Sequence, residues 1–191
     1  QVGADLLLAT DPDADRLGVA VRNGNSYELL TGNQLGALLL NYILHTKQES
    51  GTLPNNGAML NTIVTSELGT AIAAHYGVTT VNTLTGFKYI AEKIAEFEMT
   101  KAHTYLFGYE ESYGYLIETF ARDKDAVQVA LKVAEMAAYY STQEKTLLEA
   151  LEELYEQFGY YKEALVSKTF EGKDGQEQMK AILNNYRLNM P

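Results

Sequence analysis

The chain has 191 residues, 46% of them apolar, and carries a formal charge of −10 from 15 basic and 25 acidic residues. That balance excludes a nucleic-acid surface, which needs a basic stripe, but not a phosphate ligand held by a few local cations or free N–H groups. With no cysteine, disulfides, thiolate catalysis and cysteine metal sites are ruled out, and a reducing compartment fits.

"DLLLA" (Asp5–Ala9) reads as a short buried strand that runs into an acidic loop. "RLGVAVRNGNSYELLTG" reads as a hairpin turning at Asn23-Gly24, because Asn-Gly supplies the positive φ angles of a tight turn. Thr31 and Gln34 have the spacing of a capping box ahead of the helix "QLGALLLNYILHTK". After the loop "GTLPNNG", a strand "AMLNTIVTS" leads to a helix "ELGTAIAAHYG" closed by Gly77. "VTTVNT" is the next strand. The helix "TGFKYIAEKIAEFE" sets Phe87, Ile90, Ile94 and Phe97 on one face. "TYLFGYEES" is a strand entering an acidic turn. Two further helices follow, "DKDAVQVALKVAEMAAYYS", with Asp123 as the expected N-cap, and "TLLEALEELYEQFG".

Alternating strands and helices predict an α/β fold: a three-layer α/β/α domain on a mixed, largely parallel sheet, with partial flanking domains. Residues 1–32 read as the end of one domain, 33–160 as a complete one, and 161–191 as the truncated start of another, offering one strand and one helix. No apolar run reaches about 18 residues, the length that a spanning helix needs. The start "QVGADLLLAT" lacks the basic opening of a signal peptide. No membrane partner and a cytoplasmic location are expected.

The acidic loop "DPDADR" poses the main chemical question. In an extended loop, Asp11, Asp13 and Asp15 point to one side, where three carboxylates repel unless a cation sits among them. Hard oxygen ligands suit magnesium or calcium. An EF-hand is excluded. Arg16 stands where that loop needs glycine and Arg22 where it needs glutamate, and the flanks are strands. Three carboxylates leave coordination positions open for phosphate oxygens, so the loop points to phosphoryl chemistry with Arg16 beside the phosphate.

Other motifs are less specific alone. "GYEESYG" places Glu110, Glu111 and Ser112 at a strand end, groups suited to sugar hydroxyls, although polar turns share that composition. "TGFK" puts Lys88 at a strand-to-helix junction that can hold an anion. "RDKDA" offers Lys124, which read alone is a surface residue near a helix start. His45, His75 and His103 lack metal-ligand spacing.

Taken together and in order, "DPDADR", "TGFK", "GYEESYG" and "RDKDA" resemble the phosphohexomutase superfamily, in particular its bacterial phosphoglucomutases, over nearly the whole chain. The resemblance implies that Asp11, Asp13 and Asp15 hold Mg2+ and that Arg16 lies beside a phosphoryl group. It implies that Glu110 and Ser112 contact sugar hydroxyls, that Lys88 lies near the substrate, and that Lys124 serves proton transfer or phosphate contact. Such enzymes have four domains and pass a phosphoryl group between a phosphoserine and a phosphosugar through a bisphosphate, here glucose 1,6-bisphosphate between glucose 1-phosphate and glucose 6-phosphate. No serine here is followed by histidine, as in the superfamily's serine loop, and Ser50-Gly51-Thr52 lacks the arginine of its phosphate loop. The chain is therefore expected to be an inactive fragment whose partners are the missing domains of the same polypeptide. A phosphopentomutase, a phosphomannomutase or a non-catalytic sugar-phosphate-binding module stays open as an alternative.

Overall fold

A computed structural model describes residues 3–164, 166 and 168–189. The chain divides into two compact units, Gln1–Tyr161 and Lys162–Pro191.

The first unit begins with an antiparallel sheet of three strands in the order β1 (Leu6–Thr10), β2 (Leu17–Asn23), β3 (Ser26–Leu29). Alternation on β2 buries Leu17, Val19 and Val21. Leu8 on β1 and Leu29 on β3 are left largely exposed. Asn23 pairs with Ser26 in the ladder, so the turn is Gly24-Asn25, one residue later than the Asn-Gly signal places it. Only Gly24 takes a positive φ there, the signature of a turn with glycine at its first central position.

Helix α1 (Gly32–Glu49) starts at the expected capping box. Thr31 accepts the Gln34 N–H at 3.2 Å, and the Gln34 side chain accepts the Thr31 N–H at 2.8 Å. Next come β4 (Gly57–Thr62), α2 (Leu68–His75), β5 (Thr79–Thr83), α3 (Phe87–Thr100), β6 (Thr104–Tyr109), β7 (Tyr115–Leu116), α4 (Ala126–Ser141) and α5 (Leu147–Phe158). The second sheet has the order β5-β4-β6-β7; β4 is parallel to both neighbours and β7 antiparallel to β6.

Two cores flank this sheet and make three layers. Ala58 and Leu60 of β4 pack with Phe87, Ile90, Ile94 and Phe97 of α3. Met59 of the same strand faces the larger core, with Leu35 and Leu39 of α1, Ile72 of α2, Val133 of α4 and Leu151 of α5. A register shift beside Ala58 and Met59 skips Leu106, which lets Tyr105 join the α3 side and Phe107 and Tyr109 the other.

Two of these expectations need correction, and one element was not expected. The strand over "AMLNTIVTS" stops at Thr62, because Thr65 closes a turn: its hydroxyl accepts the Thr62 N–H at 3.2 Å, and its own N–H reaches the Thr62 carbonyl at 3.0 Å. Asp123 does not cap α4. Asp125 does, accepting the N–H groups of Val127 and Gln128, since Ala126 is the first residue free to turn helical. The short strand β7 had no sequence signal of its own.

The second unit carries α6 (Gly172–Leu188), with Gly175 packed against Phe170. No strand occurs in it among the described residues; Leu165 and Ser167, within the expected strand, lie outside them. No helix of the described residues is long and apolar enough to cross a membrane.

Candidate functional site

The parallel strands β5, β4 and β6 all end on the same side. The crossover through α2 lies on one face and that through α3 on the other, so the topology switches between the carboxyl ends of β4 and β6, the position where open α/β sheets bind ligands. Among the described residues, the buried polar side chains gather at these ends. They are Asn61, Thr62, Thr65 and Ser66 at and after β4, Thr83 closing β5, and Glu110 after β6.

The acidic loop between β1 and β2 reaches this region through backbone bonds. The Leu17 N–H donates to the Tyr113 carbonyl at 3.2 Å, Arg16 forms a bridge with Gly114, and the Ala126 N–H at the start of α4 donates to the Ala14 carbonyl at 2.9 Å. Ala14 adopts a left-handed φ of 56° and Tyr113 one of 71°, which lets both chains turn sharply where they meet. Motifs distant in sequence are thus hydrogen-bonded into one junction around Gly114.

Within it, Lys124 is the central charge. Its ammonium lies 2.8 Å from Asp15 Oδ2 and 3.2 Å from Asp123 Oδ1, and 5.7 Å from the centre of the Phe87 ring. The Lys124 side chain is only 13% exposed. Burial works against its charge, but the bonds to Asp15 and Asp123 prevail and hold its pKa above the ordinary lysine value. Glu110 is buried, and burial pushes its carboxyl up; the Gly86 N–H, which donates to Oε1 at 3.1 Å, and the Lys124 charge oppose that rise.

The three aspartates have separate duties. Asp11 Oδ1 accepts the N–H groups of Asp15 at 2.8 Å and Arg16 at 2.9 Å, closing the loop; the Arg16 N–H is the chief cause that lowers its pKa. Asp15 holds Lys124. Asp13 is exposed, with no hydrogen bond or ion pair among the described residues. The convergence expected from spacing is not present as such: among the described residues no three acidic or imidazole side chains gather as a metal site. The loop closes on its own backbone and one carboxylate takes the Lys124 ammonium. Asp11 Oδ2, Asp13 and Asp15 Oδ1 remain as hard donors, and that donor chemistry fits a divalent cation.

The remaining residues named from sequence are placed as follows. Arg16 is exposed; its guanidinium forms no ion pair among the described residues, and its charge favours the ionised forms of Asp11 and Glu110. Ser112 is half-buried, its hydroxyl without a hydrogen bond among the described residues. Lys88 is exposed on the first turn of α3, 4.8 Å from the Tyr89 ring centre, and does not join the Lys124 cluster. "TGFK" enters the site through Gly86 and Phe87 instead. Sequence reasoning missed the Asp15–Lys124 pair and the contact from Thr62 to Glu111. The glycines bracketing the acidic turn were the available signal, because a side chain at Gly114 would collide with Lys124.

A three-layer α/β/α architecture is that of a phosphohexomutase domain. Residues 31–158 match the family model for the phosphoglucomutase/phosphomannomutase α/β/α domain III. The chain belongs to that family. It is 41% identical over 190 residues to a phosphoglucomutase of Staphylococcus haemolyticus, covering 98% of this chain and 33% of that protein. It thus spans about a third of the length of the curated relatives it matches. The crystal structure of parafusin, a Paramecium phosphoglucomutase, has a TM-score of 0.64 at 20% identity, over 96% of this chain and 30% of that one. An Aspergillus fumigatus N-acetylphosphoglucosamine mutase, solved with glucose 1,6-bisphosphate, gives 0.56 at 16% identity, over 83% and 34%. These two structural likenesses show the fold.

Proposed function

We propose that the chain is part of a magnesium-dependent phosphoglucomutase that interconverts glucose 1-phosphate and glucose 6-phosphate through a phosphoserine and glucose 1,6-bisphosphate. In this reading residues 1–32 end a second domain, 33–160 form the third and 161–191 begin the fourth, with the donor serine outside the chain. The observation that carries the reading is the junction around Gly114. It joins the aspartate loop, the acidic turn and Lys124 by direct bonds. Family membership supports it.

Phosphoryl transfer depends on positioning and charge neutralisation. Asp11, Asp13 and Asp15 would hold the magnesium ion through their unengaged oxygens. When bound, that ion would draw negative charge from the phosphoryl oxygens. Arg16 supplies a planar donor beside them. Lys124, whose ion pairs with Asp15 and Asp123 favour its charged form, is suited to neutralise and orient phosphate. Glu110, with Oε1 fixed on Gly86, offers Oε2 to a sugar hydroxyl, and the Ser112 hydroxyl is available beside it. Lys88 contributes positive charge at the rim.

The test uses the full-length protein in a coupled assay for glucose 6-phosphate. Wild type turns over glucose 1-phosphate with added magnesium and bisphosphate. Asp13→Asn loses at least about two orders of magnitude in rate, about 3 kcal/mol of transition-state stabilisation, with an unchanged melting temperature. A wild type inert on hexose phosphates, or an Asp13→Asn variant at full rate, overturns the proposal.

A further inference from the structure

We infer that Thr62 is a positioning residue for the sugar-binding turn, acting through Glu111. The inference rests on the functional reading above and assigns roles to two residues that it leaves without one.

Thr62 closes β4 and is 1% exposed. Its N–H donates to the Thr65 hydroxyl at 3.2 Å, the two hydroxyl oxygens are 2.8 Å apart, and its own hydroxyl donates to Glu111 Oε2 at 3.3 Å. A hydroxyl has one proton to give. Since an ionised carboxylate only accepts, Thr62 gives its proton to Glu111, and Thr65 must give its own to Thr62. The direction of the chain is therefore fixed from the β4 backbone to the acidic turn, with each donor used once.

Glu111 makes no other hydrogen bond among the described residues, so Thr62 sets where its carboxylate lies. The turn's backbone is backed from below. A Cβ on Gly32 would stand 2.6 Å from the Glu111 carbonyl carbon and 3.0 Å from the Tyr113 nitrogen, so only glycine lets the first turn of α1 press so close. That turn also braces the β4 loop, because Asn33 Oδ1 accepts the Ser66 N–H at 3.2 Å. Glu110 is tied to Gly86 ahead of α3, and Glu111 to the end of β4. Consecutive carboxylates are thus anchored to different strand ends. Glu111 clamps the turn that carries Glu110 and Ser112; it is not itself a sugar contact.

Full-length Thr62→Val, nearly isosteric, raises the KM for glucose 1-phosphate about fivefold while kcat changes less than about twofold. Thr62→Ser keeps the hydroxyl and restores KM. Melting temperatures are read alongside. If Thr62→Val does not fold, Glu111→Ala in the half-buried turn shows the same rise in KM. An unchanged KM in either folded variant, or a Thr62→Ser as impaired as Thr62→Val, overturns the inference alone. A wild type without turnover overturns the functional reading and this inference with it.

Discussion

Gly114→Ala tests the junction directly. Gly114 bridges to Arg16, and its carbonyl takes the Glu110 N–H at 2.9 Å. The Lys124 stem lies over it. A Cβ there would stand 3.0 Å from Lys124 Cγ, closer still to Cδ, and 3.3 Å from Glu110 Oε2. Carbon atoms rest about 3.5–4.0 Å apart, so the stem must retreat by about 1 Å. The ammonium sits 2.8 Å from Asp15 at the end of that stem, so the retreat carries it out of hydrogen-bond range. Overpacking of this kind costs about 1–3 kcal/mol. With a urea slope of about 2 kcal/mol/M, a loss of 2 kcal/mol lowers the unfolding midpoint by about 1 M. Urea titration of the chain, followed by circular dichroism, reads this, and the full-length variant loses mutase rate in parallel. A midpoint and rate equal to wild type would mean that the lysine does not cross Gly114 and that the junction is not organised as described.

Two other predictions concern stability. Burial raises the Glu110 carboxyl, so the folded state binds its proton more tightly than the unfolded chain. Stability therefore falls as pH rises from the ordinary carboxylate range through Glu110's raised value, and is flat above it. Glu110→Gln removes that fall, so its urea midpoint gains on wild type as pH rises out of the ordinary carboxylate range; a constant difference refutes the direction of the shift. Thr146 and Glu149 close a capping box on α5 at 3.2 and 2.7 Å, and Thr146→Ala should cost about 1 kcal/mol, about 3 °C in melting temperature. An unchanged melting temperature would show that the cap is replaced by water.

Much of the frame is legible because it depends on local rules. The stripe Phe87, Ile90, Ile94 and Phe97 has helical spacing, and all four side chains are buried against the sheet. Thr31 and Thr146 begin helices where a capping box marks the start. The failures occur where a side chain overrides the local pattern. Ile63 and Val64 continue the apolar run of β4, yet Thr65 ends the strand by offering a competing acceptor. Asp123 and Asp125 are equivalent as letters. The bonds from Asp125 to Tyr115 and from Ala126 to Ala14 decide between them, and those partners come from other parts of the chain.

The same distinction explains the aspartate loop. Spacing marks three like charges as needing neutralisation, but it cannot tell which neutraliser each one uses. Asp11 takes backbone N–H groups and Asp15 takes Lys124, so the most exposed of the three, Asp13, is left without a partner among the described residues. This division has a chemical consequence. Asp15 offers one oxygen to the ammonium and retains the other for the proposed cation. The loop and its lysine carry four carboxylates, Asp11, Asp13, Asp15 and Asp123, against two cations, Lys124 and Arg16, so two negative charges stay uncancelled. A divalent cation would cancel them. With that cation bound, an arriving phosphoryl group would meet a neutral loop in place of a repelling one, as the proposed phosphosugar chemistry requires.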